Sequence, residues 1–366
     1  MKPRSKLIAK FLCGLLAAAW QITALSQAWP AKTVRIIAPT EVGTPTDVVM
    51  RGIASSLQQS LGQSIFVENL PQSFAIIGMQ ACVNAAADGY TFCGPSSSAI
   101  TLNPLLYRNI NYDPVKQLAP VINLGTIKAC IVVHPSVPAN NIAELVALAK
   151  AKPNGIDWGS WGNGSFSHLY WAWVENTSGA RFLHVPYKTP SQATVALMAG
   201  EVKVMFNTPA LMGPLVKAGK LKAVAVTGSV RSEHLPGVAS FKEQNLDLDY
   251  LGWIGLFAPA ATRREVVTRM NLEVNKLLKD SSFVETIMKR SSVDPVGGTP
   301  EDFAAFTKAD RETAQALVRL ANIKPEYAHR TCRDACAADL TPRTILEKVS
   351  CHTPLQKSRC VFSRSF

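Results

Sequence analysis

The stretch WGSWGNGSFSHL, residues 158 to 169, gathers glycines, hydroxyls and a histidine into a dozen positions. Ser165 and His168 stand three apart, which admits a nucleophile with its base. The same spacing also suits a helix start, with Ser165 or Ser167 as the cap and His168 in the first turn, and that reading fits the local spacing better. The glycines permit backbone N–H groups to converge on an oxyanion without a cationic side chain. Further segments offer similar chemistry: PTEVGTPTD (39–47), GPSSSAIT (94–101), HVPYKTPSQA (184–193) and VMFNTPAL (204–211). They add Glu41, Gly43, Thr46, Asp47, Ser97, Lys188, Thr189 and Asn207 to Ser160, Asn163, Ser165 and His168 as candidate ligand contacts. Trp253 in GWIGLF is open to two readings, cleft wall or core.

Motifs for covalent or metal chemistry are missing. The chain has no G-x-S-x-G, H-E-x-x-H, G-x-x-x-x-G-K-[ST] or complete G-x-G-x-x-G. His134, His168, His184 and His234 form no pair at metal-ligand spacing. The expectation is a binding protein with no cofactor and no metal rather than an enzyme.

The elements that must position these segments follow a regular pattern. Short β-branched runs such as VRIIA, SIFVEN, KACIVV, VKVMFN and LKAVAV alternate with helical periods, for example Val49, Ile53, Leu57 and Leu61 before Gly62. Such alternation predicts an α/β fold with parallel sheets covered by helices. Thr44–Pro45, Thr189–Pro190 and Thr299–Pro300 each set threonine at N-cap and proline at N1, with an acceptor two residues further on. The first two follow strands directly, placing helix N-termini at the carboxyl ends of strands, where open α/β sheets bind ligands.

Residues 1–28 read as a cleavable signal peptide, with a basic n-region, the apolar FLCGLLAAAW and a small-x-small site at Ser26–Ala28. The apolar run is well short of the ~20 residues that a membrane span needs. Export to the periplasm is expected. The net charge of +12 is concentrated at the ends: Lys2, Arg4, Lys6 and Lys10 lie in the leader, and residues 327–366 carry seven basic and three acidic side chains. Without basic runs in the body, a nucleic-acid partner is excluded. In an oxidising compartment Cys82 and Cys93 are either a disulfide or two buried thiols. The basic tail from 327 to 366, with Cys332, Cys336, Cys351 and Cys360, fits no standard zinc spacing and is expected to be poorly ordered. The late helices need a sheet to pack on, which assigns 29–126 with 252–326 to one lobe and 127–251 to the other.

Taken jointly, VENLP, AADGYTF, LNPLLYRNINYDPVKQLAPV, WGSWGNGSFSHL, HVPYKTPSQA, GEVKVMFN and AGKLKAVAVTG resemble, in order, the motifs of Bug-type periplasmic receptors of tripartite tricarboxylate transporters. The resemblance runs from Trp29 to about Glu326. It implies a two-lobed type II periplasmic-binding-protein (Venus flytrap) fold, closing as a monomer on a small carboxylate. It also implies membrane permease subunits as partners, with a sensor kinase as the alternative recipient of the ligand; a hydrolase using Ser165 and His168 is the remoter reading of the chain itself. Three departures bear on the ligand. The usual P-P-G-G loop reads Glu41–Val42–Gly43–Thr44–Pro45, H-V-P-Y-K-G continues as Thr189–Pro190–Ser191–Gln192, and the customary aspartate after M-F is Asn207.

Overall fold

The computed structural model describes residues 29–325 apart from 72–74, 109, 163, 247 and 249. The expected signal peptide, the tail from 327 to 366 and Asn163 therefore lie outside the described residues.

Two sheets organise the described chain. The first has the order β11-β4-β10-β3-β1-β2, from β1 (Val34–Ala38), β2 (Ile65–Asn69), β3 (Thr91–Cys93), β4 (Leu118–Ile127), β10 (Gly252–Pro259) and β11 (Val293–Gly297). The second has the order β7-β6-β8-β5-β9, from β5 (Cys130–Val133), β6 (Asp157–Ser160), β7 (Leu183–Pro186), β8 (Val204–Asn207) and β9 (Lys222–Val226). The α/β class holds, and the expected parallel pairing is present between β1 and both β2 and β3 and between β6 and both β7 and β8, but both sheets are mixed and the all-parallel expectation is corrected. β10 runs antiparallel to both β3 and β4, β11 is antiparallel to β4, and β5 is antiparallel to β8 and β9. The reason is connectivity: the chain leaves the first sheet through β4 and returns through β10, so the two crossing strands point opposite ways.

The helices of eight or more residues are α1 (Pro45–Leu61), α2 (Ile76–Val83), α3 (Ile142–Ala151), α4 (Phe166–Ser178), α5 (Pro190–Ala199), α6 (Pro209–Lys217), α7 (Arg264–Lys279) and α8 (Pro300–Leu320). α1 shows why they form. Val49, Ile53 and Leu57 recur every fourth residue and are fully buried, and Gly62 ends the helix in the left-handed region with its N–H on the Gln58 carbonyl. Thr44, Thr189 and Thr299 accept the N–H of Asp47, Gln192 and Asp302, so all three threonine–proline starts are real caps.

α1 and α7 cover one face of the first sheet, around Ile36, Phe92, Leu256, Val266 and Met270. On the other face Ile37, Met79, Trp253, Phe257 and Phe303 pack together, which makes Trp253 core and not cleft wall. The second sheet is buried by α3 and α4 on one side and by α5 and α6 on the other. α8 reaches across both halves: Ala314 and Val318 pack with Leu102, Leu106, Leu169 and Tyr250, and Asn176 Nδ2 of α4 donates to the Leu320 carbonyl at 3.1 Å.

Cys82 of α2 is joined to Cys93 of β3 by a disulfide, both sulfurs being buried. The bond fixes the strand that delivers the serine run at 96 to 98. Replacing both cysteines by serine is expected to lower the unfolding free energy by about 2–3 kcal/mol, as closure of so short a loop implies. Urea titration of the two proteins checks it; equal midpoints would show the crosslink to be without effect.

Candidate functional site

A cleft lies between the sheets, in two communicating chambers. The inner, of about 310 Å³, takes Glu41 to Thr46 from the loop after β1, Ser96 to Ser98 after β3, Trp161, Phe166 and Tyr170 after β6, Pro190 and Ser191 after β7, and Phe206 to Thr208 at the end of β8. Leu211, with Ile127, Ala129 and Gly252 where the chain crosses between sheets, completes it. The outer, of about 390 Å³, shares Glu41, Thr44, Ser96, Ser98, Trp161 and Pro190 and adds Asn103, Leu106, Gly164, Ser165 and Lys188. Walls therefore come from both sheets.

Of the expected contacts, Glu41, Gly43, Thr46, Ser97 and Asn207 line the inner chamber, Ser165 and Lys188 the outer. Asp47, Ser160, His168 and Thr189 line neither chamber and support the segments that do. Asp47 is buried and receives three donors: the Gly43 N–H at 2.9 Å, Arg51 Nε at 2.9 Å and Asn69 Nδ2 at 2.9 Å. Burial opposes its ionised form, but these donors prevail and hold its carboxyl below the usual range. Gly43, at φ 82°, is the residue that lets the loop turn back onto this carboxylate, and its N–H is committed there. Thr189 caps α5.

Below the glycine-rich loop is a stack of rings. His168 and His184 stack with nearly parallel planes, centroids 4.3 Å apart, and Trp171 stacks with both at 5.2 and 4.9 Å. His168 Nδ1 accepts the Gly164 N–H at 2.9 Å, and His184 Nε2 bonds the fully buried Ser160 Oγ at 2.6 Å. Burial holds both imidazoles down at about 4, with the neighbouring ring adding to the effect at His184. Both rings are thus neutral at ordinary pH. Ser165 Oγ accepts the His168 backbone N–H and donates to the Gly162 carbonyl, as a helix cap does. No hydrogen bond joins its hydroxyl to the His168 ring among the described residues, so the pair does not form a nucleophile and base. Gly164 is required sterically: at φ 76°, an added Cβ would meet Leu106 Cδ1 at 2.3 Å, across the cleft.

The electrostatics are sparse. α1 and α5 begin at the cleft with Thr46 and Ser191 at their second helical positions, and the first N–H groups of a helix have no acceptor within it. Both helices carry proline at the preceding position, which concentrates the available donors on these residues. Asn207 is committed locally: its Oδ1 accepts the Thr208 N–H at 2.8 Å and its Nδ2 approaches Thr194 Oγ1 at 3.4 Å. Lys188 is the one basic residue lining either chamber among the described residues, and Glu41 the one acidic residue.

Sequence reasoning missed the apolar walls: Trp161, Phe166, Tyr170, Phe206 and Leu211, together with Ser96, Ser98 and Ser191. The only available signal was their position, since all but Tyr170 fall within a segment already singled out at a strand end, and Tyr170 directly follows one.

Comparison with known proteins adds a consistent context. The family described as tripartite tricarboxylate transporter family receptor matches residues 49–323. BugT of Bordetella pertussis is 30% identical over 294 residues, covering 80% of this chain and 90% of that protein. Among solved structures, an R. palustris protein with adipate superposes at a TM-score of 0.75 with 27% identity, covering 81% of this chain and all of the other. The periplasmic binding protein BugD gives 0.72 at 27% identity, with 81% of this chain covered and 100% of that one.

The neutral histidine stack sets a pH dependence. A ring whose proton affinity is lowered by folding leaves stability intact above its unfolded value near 6.5 and costs stability as pH falls from there toward about 4. The expected loss for His168 over that window is on the order of 3 kcal/mol. Urea unfolding at pH 7.5, 5.5 and 4.5 measures it, and a decline of equal size in the His168→Gln, His184→Gln protein would refute the assignment.

Proposed function

The chain belongs to the tripartite tricarboxylate transporter receptor family, and from that membership we propose that it is a periplasmic receptor capturing a small organic carboxylate for delivery to a membrane permease. Residues 29–126 with 252–326 act as one lobe and 127–251 as the other, and the solute is held where they face each other.

The observation that carries this reading is the convergence of polar backbone and hydroxyl groups from both sheets on one cleft. Thr46 and Ser191 bring the positive ends of two helices, Ser96 and Ser98 bring hydroxyls, and Lys188 stands at the edge as a single cation. An acceptor-rich anion matches this set, whereas an ammonium ligand would meet only Glu41. The adipate bound by the R. palustris relative supports a carboxylate as the ligand class. His168 and His184 line neither chamber, which supports binding over proton-transfer chemistry in the cleft.

Two outcomes follow. In a screen of mono-, di- and tricarboxylates against amines and sugars, carboxylates alone should raise the melting temperature, by the equivalent of about 2.7 kcal/mol at a hundredfold excess over Kd. A panel without any carboxylate shift counts against the reading. For the ligand so found, Lys188→Met should weaken binding about tenfold by calorimetry, the loss of one charge-assisted hydrogen bond in a partly solvated site. Unchanged affinity would remove Lys188 from the site.

A further inference from the structure

The proposed carboxylate reading leaves the rest of the solute undefined, and the inner chamber constrains it. Its walls are Val42, Pro45, Ile127, Trp161, Phe166, Tyr170, Phe206 and Leu211, and none of its described lining residues is basic. Tyr170 and Phe206 stack with centroids 4.1 Å apart, and Trp161 lies tilted against Phe206 at 6.3 Å, giving a rigid aromatic corner. An apolar body placed here meets apolar surface and displaces water from it, a favourable exchange. Away from the two helix starts at Thr46 and Ser191, a charged group placed here loses its hydration without a counter-charge.

One further helix end faces the chamber, and its donors are already committed. α6 starts with Pro209, which has no N–H; Thr208 N–H goes to Asn207 Oδ1, and Ala210 N–H goes to Ser292 Oγ at 2.8 Å. Leu211 N–H turns back to the Thr208 carbonyl. The Thr208 hydroxyl oxygen is buried without a hydrogen-bond partner, so the remaining polar atom is neutral. At the junction of the chambers Glu41 adds a negative charge, exposed and in no ion pair among the described residues. A first carboxylate takes the two open helix starts of the inner chamber, and the single cation, Lys188, belongs to the outer one. A second would meet either the aromatic corner or Glu41.

We infer that the site selects a monocarboxylate with a flat apolar body of about one ring, and that Glu41 and the cation-free inner chamber exclude di- and tricarboxylates. Glu41 is a specificity-determining residue in this account. A neutral ring substituent reaching the Thr208 hydroxyl is compatible with it.

The inference rests on the carboxylate reading, and one titration series separates the two. Ligand-stripped, otherwise unaltered protein is titrated by calorimetry with benzoate, phenylacetate, succinate and adipate. At least one aromatic monocarboxylate should bind about tenfold or more tighter than adipate. Adipate or succinate binding as tightly as both aromatic acids overturns the inference and leaves the carboxylate reading standing; absence of binding by all four overturns both. In Glu41→Gln, a surface change that leaves the core untouched, the preference for the aromatic acid over adipate should narrow about fivefold, as removal of one repulsive charge predicts. An unaltered ratio would show that Glu41 takes no part in selection.

Discussion

The antiparallel ladder between β4 and β10 is the constraint on which the arrangement depends. It runs from Gly252 opposite Ile127 to Pro259 opposite Leu118, and it forms the middle of the first sheet while carrying the chain out to the second sheet and back. Its far end is also the cleft floor, through Ile127, Ala129 and Gly252. The backbone joining the sheets is therefore part of the cavity surface, and the loops at the strand ends of both sheets are held to a common span. The β11 ladder reinforces it: a Cβ at Gly125 would lie 2.4 Å from the Asp294 carbonyl, so the two strands meet at the limit of close approach.

Local features were legible in the sequence because they depend on neighbours only a few residues away. The threonine–proline helix starts, the Ser165 cap and the four-residue spacing of α1 all belong to this kind. β4 escaped because Pro120, Asn123 and Gly125 interrupt its pattern; its pairing tolerates them through register shifts between Ile254 and Gly255 and between Leu256 and Phe257. Strand direction escaped for a different reason. Alternation of element types states nothing about which strand returns beside which.

The cleft itself was half legible, and the division follows chemistry. Glycines, hydroxyls and charges at strand ends announced the loops, yet polarity does not say whether a group faces a ligand or a structural partner. Asp47 and His168 are polar and adjacent to the cleft, and both are committed inward, to Arg51, Asn69 and Gly43 in one case and to Gly164 and the ring stack in the other. The aromatic walls posed the converse problem. Tyr170 and Phe206 belong to the core of the second sheet, and only part of each ring borders the cavity, so nothing in their sequence context distinguishes them from core.

α8 has a mechanical role that its length makes definite. Its first turn is packed into the first half by Phe303 against Trp253 and Phe257, and its Leu320 carbonyl accepts Asn176 Nδ2 of the second. At 1.5 Å per residue this is a rod of about 30 Å, tethered at both extremities to bodies that face each other across a cavity. Any change in the angle between those bodies must tilt the rod or break its far tether.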